Sequence, residues 1–320
     1  MIVGLFVICM FVSISMGTSV GTVAAIAPVG FGLTQATDVS AAITMATVVG
    51  GAMFGDNLSM ISDTTIAAVR TQHTNMKDKF RVNFKIVLPG AILTMIILWW
   101  MTRGVHLAHT DSYHYDLVKV IPYVLVLILA LVGLNVIVVL IGGTVLSAAI
   151  GLIEGSYSWV GLLKSLAKGI ESMEDIAILA LLIGGLVAII EYYGGIQWLL
   201  NFVRSKVKSK RGAEYGIATL VSAADISTAN NTISILMSGP LAKDIADEYG
   251  VDPRKSASIL DIFGGCFQGL LPYSPQLIAA AGVASISPVA LVPYCIYPIL
   301  LGVCGLLAIF FKFPKLKERH

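Results

Sequence analysis

Long apolar runs broken by short polar stretches organise this chain. Runs able to cross roughly 30 Å of hydrocarbon, about 20 residues each, lie at 38–68, 83–102, 117–133, 135–153, 173–192, 256–281 and 288–311, which predicts seven crossings. Two of them, 38–68 and 256–281, are interrupted. Segments 1–30 and 213–240 also carry a polar centre, Gly17-Thr18-Ser19 in one and Asp225 to Thr232 in the other. Each reads as a broken span or a re-entrant hairpin.

The interruptions resemble each other. Gly50-Gly51-Ala52-Met53-Phe54-Gly55 through Ala68 has a partner in Gly264-Gly265-Cys266-Phe267-Gln268-Gly269 through Ala280. Pro28 pairs with Pro240, Ser62 with Ser274, and Ile66-Ala67-Ala68 with Ile278-Ala279-Ala280. Gly-interrupted polar breaks in two corresponding apolar segments are the sequence pointer to a secondary transporter with its site near the bilayer midplane.

Composition agrees. With 57% hydrophobic residues, 12% charged and a mean hydropathy of +0.86, the chain lies far from a soluble domain, in which about 25% of residues are charged. The expected fold class is an all-α polytopic membrane protein, an inverted-repeat transporter with re-entrant hairpins and interrupted helices. The formal net charge of +2 says less than where the cations fall. The cluster Arg70, Lys77, Lys79, Arg81, the run Arg204 to Arg211 and the tail Lys312, Lys315, Lys317, Arg319 are expected on the cytoplasmic side. Segment 103–116, with His106, His109 and His114, then falls outside. Keeping the run and the tail on one side makes 213–240 a re-entrant hairpin, with the charged 241–255 as a cytoplasmic loop. Under this topology the two repeats are inverted.

The expected division is an incomplete first repeat at 1–103, an outer loop at 104–116, a second repeat at 117–311 and a basic tail at 312–320. Residues 117–212 have no counterpart ahead of Met1, so the first repeat reads as lacking its front. Cys9, Cys266, Cys295 and Cys304 lie in apolar runs and read as small buried hydrophobes. Trp99, Trp100, Tyr192 and Tyr193 fit interfacial belts, 156–170 an interfacial amphipathic helix, and Glu174 and Asp175 the first turn of a span.

Chemistry concentrates in Gly55 to Thr65, where Asp56, Asn57, Ser59, Ser62, Asp63 and Thr64 offer carboxylate, amide and hydroxyl oxygens between apolar flanks. Oxygens of this kind, with the carbonyls of an unwound helix, suit Na+. A carboxylate in such a site can hold Na+ or a proton but not both, so Asp56 and Asp63 are the expected Na+ ligands and proton carriers. Asp225 is a further ion or proton candidate, because an ionisable group in hydrocarbon is costly. The second break lacks acids. Its Gln268, Ser274 and Gln276, and the hairpin residues Thr18, Ser19, Ser227, Thr228, Asn230, Asn231 and Thr232, are candidate substrate or second-site contacts, although short polar side chains at such reversals also cap backbone. Asp261 stays open, and Glu191 reads as structural.

At Gly55-Asp56-x-x-Ser59-x-x-Ser62-Asp63-Thr64-Thr65 the chain resembles the NhaC-type Na+/H+ antiporter family of the ion transporter superfamily, and the similarity extends through Gly17-Thr18-Ser19-x-Gly21-Thr22. The resemblance implies paired hairpins and interrupted helices around a central site that exchanges Na+ for H+; some relatives look like organic-acid or amino-acid transporters. A multi-pass protein of the cell membrane, bacterial inner membrane by that resemblance, is therefore expected. A Na+-coupled carrier of a small amino or carboxylic acid is the alternative, and an inactive membrane scaffold the third reading. No Ser-His-Asp spacing, phosphate loop or metal-ligand pair marks an enzyme, and nothing points to nucleic acid or a cofactor. The expected partners are the lipid bilayer, Na+, H+, a small organic solute under the alternative, and a second copy of the chain.

Overall fold

A computed structural model describes residues 1–104, 136–205 and 207–316, with short pieces between 121 and 129. The histidines of the expected outer loop, most of the 117–133 run and the end of the tail lie outside the described residues, as do the side chains of Glu174, Asp175 and Glu191.

The described residues are helical. A hairpin comes first, α1 (Ile2–Met16) and α2 (Ser19–Ala36), followed by a broken pair, α3 (Ala41–Leu58) and α4 (Asp63–Thr71), and then the long α5 (Met76–Thr102). After α6 (Val136–Ile153), α7 (Trp159–Tyr192) and α8 (Gly195–Arg204) comes a second hairpin, α9 (Lys210–Thr228) and α10 (Asn231–Tyr249). A second broken pair follows, α11 (Pro253–Gln268) and α12 (Pro275–Ala284), then two 3-10 turns and α13 (Ile296–Phe310).

Local chemistry explains the reversals. Gly17 ends α1 at φ 68°, a left-handed conformation open to glycine, and Thr18 caps α2 by accepting from the Gly21 amide. Ala229 ends α9 at φ 50°, and Asn230 caps α10 through the Ile233 amide. The second broken pair reopens at Pro275, the first residue of α12, where a missing N–H costs nothing.

Packing crosses between the halves. α1 and α2 lie against α3, and α9 and α10 against α11; α2 also touches α12, and α10 touches α4. α5 and α13 pack on each other, α5 against α11 and α13 against α3. Small residues permit the closest approach: a Cβ added to Gly51 would stand 2.6 Å from the Phe6 carbonyl oxygen, and one on Gly55 2.5 Å from that of Met10. Ser13 donates to the Ala52 carbonyl and Ser59 to the Ile14 carbonyl, fastening α3 and its break onto α1.

The exterior is apolar and the interior unusually polar. Trp99, Trp100, Trp198, Tyr192, Tyr193 and Ile153 are exposed, while Asp56, Asn57, Lys79, Asn83, Asp225, Asp261, Gln268 and Gln276 are buried. Buried ionisable side chains beneath exposed large apolar ones are the arrangement that a lipid-facing protein calls for. One described helix, α5, is by itself long and apolar enough to cross a membrane; α12 with the following 3-10 turns, bent by 100°, would make a second.

Three expectations change. The 156–170 and 173–192 segments form one helix, α7, so Glu174 and Asp175 sit within a helix rather than at its start. The stretch 241–255 is largely helix, because α10 runs on to Tyr249 before Gly250 turns it at φ 67°. Lys79 is not a loop cation; it is 1% exposed. All four cysteines are free, and Cys9, Cys266 and Cys295 are buried.

Candidate functional site

The end of α3 and the start of α4 face each other across Ser59 to Ser62, so the carbonyl end of one helix dipole and the amide end of the other meet beside Asp56. Asp56 is 4% exposed. Its Oδ2 accepts from Ser19 Oγ at 2.7 Å and its Oδ1 from Ser62 Oγ at 2.6 Å, while Thr64 Oγ1 lies 2.8 Å from Ser62 Oγ. Ser62 occupies the N-cap position of α4 yet makes no side-chain cap bond. A serine there ordinarily accepts from a first-turn amide; this hydroxyl is aimed at Asp56 instead, and Asp63 Oδ1 takes the Thr64 amide.

From Ser19 the network continues into the second half of the chain. Gln276 Nε2 donates to Ser19 Oγ at 3.0 Å, and Gln268 Nε2 donates to Gln276 Oε1 at 2.9 Å and to the Ala229 carbonyl at 3.1 Å. One buried chain of bonds thus joins the first hairpin, the first break, the second break and the second hairpin tip. Among the described residues no Lys or Arg pairs with Asp56.

The other expected residues divide. Asp63 is exposed, in the first turn of α4, and its Oδ2 accepts from Thr232 Oγ1 at 2.8 Å, so it bridges to the second hairpin instead of sharing the Asp56 pocket. Asp225 is buried in a separate cluster in which Ser234 Oγ donates to its Oδ1 at 3.2 Å and Thr228 pairs with Ser234. None of the described bonds links it to Asp56. Ser59 holds the break to α1, and Ser227 bonds back to the Ala223 carbonyl. Thr18, Asn230 and Ser274 are helix caps, as the plainer reading of those residues had it. Asn231 is buried against α11 with neither amide atom hydrogen-bonded; a Cβ on Gly264 would fall 2.0 Å from its Oδ1.

Asn57 turns away from Asp56 toward α11, its Nδ2 reaching the Asp261 carbonyl at 3.5 Å. The backbone carbonyl of Asn57 accepts from Lys79 Nζ at 3.0 Å and from Asn83 Nδ2 at 2.8 Å, and both donors also reach Asp261 Oδ2, at 2.5 and 2.9 Å. Sequence reasoning missed Lys79 and Asn83. Their spacing of four residues on the helix that leads into the 83–102 run was the available signal, masked by the neighbouring surface cations.

A model of the Na+/H+ antiporter family matches residues 1–102 and 112–314. A Na+/H+ antiporter NhaC of Bacillus subtilis is 25% identical over 341 residues, spanning 96% of this chain and 74% of its own length. A second NhaC, from Alkalihalophilus pseudofirmus, is 24% identical and covers 97% of this chain. A malate-2H+/Na+-lactate antiporter of Bacillus subtilis is 22% identical over 90% of it. The family match extends over both broken pairs and both hairpins, and the chain belongs to the Na+/H+ antiporter family.

Proposed function

We propose that this Na+/H+ antiporter performs its exchange at Asp56, which holds Na+ or a proton in turn. The observation that carries the assignment is a buried carboxylate at a helix break, met by two hydroxyls and, among the described residues, by no cationic side chain. An ionised carboxylate removed from water is tolerated only with a compensating partner, so Asp56 calls for a proton or a metal cation. Ser19, Ser62 and Thr64 suit both states, because a hydroxyl donates to a bare carboxylate and presents lone pairs to a cation. The carbonyls freed at the end of α3 add oxygens and the negative end of a helix dipole. Two ligands competing for one carboxylate cannot both ride in the same direction, and that competition is the coupling. Asp63, exposed and tied to Thr232, is read as an entry ligand that hands Na+ to Asp56.

We read residues 1–103 and 117–311 as inverted repeats of a multi-pass protein of the cell membrane. What supports this is the recurrence of hairpin, broken pair and closing helix, and the reciprocal packing in which α2 meets α12 while α10 meets α4. Inverted repeats allow the shared site to face either side by rocking one half against the other. The test is radiolabelled Na+ uptake into proteoliposomes under an outward proton gradient. Wild type should accumulate Na+ and D56N should not; equal uptake by both would remove Asp56 from the mechanism.

A second reading, exchange involving a small carboxylic acid, draws on the lactate-exchanging relative and on Asn231, whose buried amide has unused bonding capacity. Lactate-dependent Na+ flux that N231A abolishes would favour it.

A further inference from the structure

Lys79 is a buried basic residue that the antiport reading leaves unexplained. Its ammonium sits among three oxygens of different kinds: Asp261 Oδ2 at 2.5 Å from α11, Thr65 Oγ1 at 2.8 Å from α4, and the Asn57 carbonyl at 3.0 Å from the frayed end of α3. Carboxylate, hydroxyl and a freed helix carbonyl are the ligands that a broken helix offers to Na+. A second carboxylate oxygen, Asp261 Oδ1, is buried with no hydrogen-bond partner. Asn83 walls the cage: Nδ2 donates to Asp261 Oδ2 and to the Asn57 carbonyl, and Oδ1 is fixed by Ser258 Oγ at 2.7 Å.

We infer that this cage is a second monovalent-cation site, permanently filled by the protein's own ammonium. Lys79 is a compact point charge of the same sign and magnitude as Na+. Anchored from α5, it neutralises Asp261 and the end of α3 without entering the transport cycle. Its presence closes this cage to Na+ and leaves Asp56, the neighbour of Asn57, as the exchangeable carboxylate beside it. The inference rests on the Asp56 reading for the location of the exchangeable site, while the cage is defined by its own contacts.

The test replaces the ammonium and asks whether Na+ takes its place. K79M keeps most of the aliphatic stem and leaves Asp261 uncompensated, a strongly destabilising change. Thermal unfolding of the purified protein is followed in Na+ and in choline. K79M should unfold at a markedly lower temperature than wild type in choline and recover most of the loss in Na+, and the number of Na+ ions taken up on folding, read from the slope of stability against the logarithm of Na+ concentration, should rise from about one toward two. K79M/D261N, with the pair replaced by neutral groups, should show no such Na+-specific recovery. Equal stability of K79M in Na+ and choline would overturn the inference. So would a K79M that fails to fold even when prepared in Na+ while the double variant folds. Repeating the recovery in a D56N background separates the two sites: failure of the Asp56 reading appears as a wild-type Na+ response that D56N leaves intact, failure of the cage as absence of Na+ rescue in K79M.

Discussion

Asp56 is the residue on which the account turns, and its two hydroxyl partners set its affinity. A hydrogen bond to a charged group contributes about 1.5–3 kcal/mol, so S62A or S19A should each weaken apparent Na+ affinity by roughly tenfold to a hundredfold, measured by Na+-dependent exchange. S62A is the sharper case, since the Ser19 hydroxyl also accepts from Gln276 and its loss would disturb the contact between the halves. Asp56, Ser62 and Thr64 were legible in the sequence because charge in an apolar run is conspicuous. Asp63, equally conspicuous, lies at the surface of the break, since a first-turn acid is favourable whether or not it binds an ion. Lys79 was not legible: one lysine among four nearby cations gives no sign of which is turned inward by Asp261.

At the scale of elements, the first hairpin depends on Gly17. A Cβ there would meet Ile61 Cγ1 at 2.8 Å and its backbone carbon at 3.0 Å, at a φ of 68° that side chains resist. G17A should cost more than about 1 kcal/mol and, because Ile61 lies in the break beside Asp56, should lower exchange along with melting temperature. The charged turn ahead of α11 gives a pH-dependent prediction. Partial burial works against the ionised form of Asp252, but hydrogen bonds and charge from Arg254, with a contribution from Lys210, hold its pKa below the ordinary carboxylate value. Asp252 also caps α11 through the Arg254 amide at 2.9 Å. A depressed pKa stabilises fully above the unfolded value, about 3.9, and that contribution is lost as pH falls through the lower folded value. D252A should therefore lower stability at neutral pH by about 1 kcal/mol, and its deficit should shrink in strong acid, read from melting curves at several pH values. The breaks and hairpins were legible as elements because Gly, Pro and short polar residues punctuate apolar runs. The extent of α7 and α10 was not, because charged residues that look like a loop are compatible with a helix carrying i,i+4 pairs such as Lys243 with Asp247.

At the scale of the whole molecule, apolar residues cover the outside and a polar network threads the inside from Ser19 to Ala229. Which residues face that network depended on contacts between halves far apart in the chain, as in Gln276 to Ser19, 257 positions apart, and no local pattern encodes those. The inverted topology predicts opposite exposure at two ends of the second half. Asp247→Cys, in the exposed last turns of α10, should react with a membrane-impermeant thiol reagent from the cytoplasmic side, and Ser287→Cys, after α12, from the outside. Labelling of both from one side would contradict the topology. Three of the four native cysteines are buried, which keeps the background low.

The central claim is that Na+ and H+ share one carboxylate, and the pH dependence of apparent Na+ affinity in proteoliposomes tests it most directly. Competition at Asp56 predicts that affinity weakens as pH falls, approaching tenfold per pH unit once the proton dominates, with maximal turnover at saturating Na+ little changed. An apparent Na+ affinity independent of pH, in a protein that still exchanges, would contradict it.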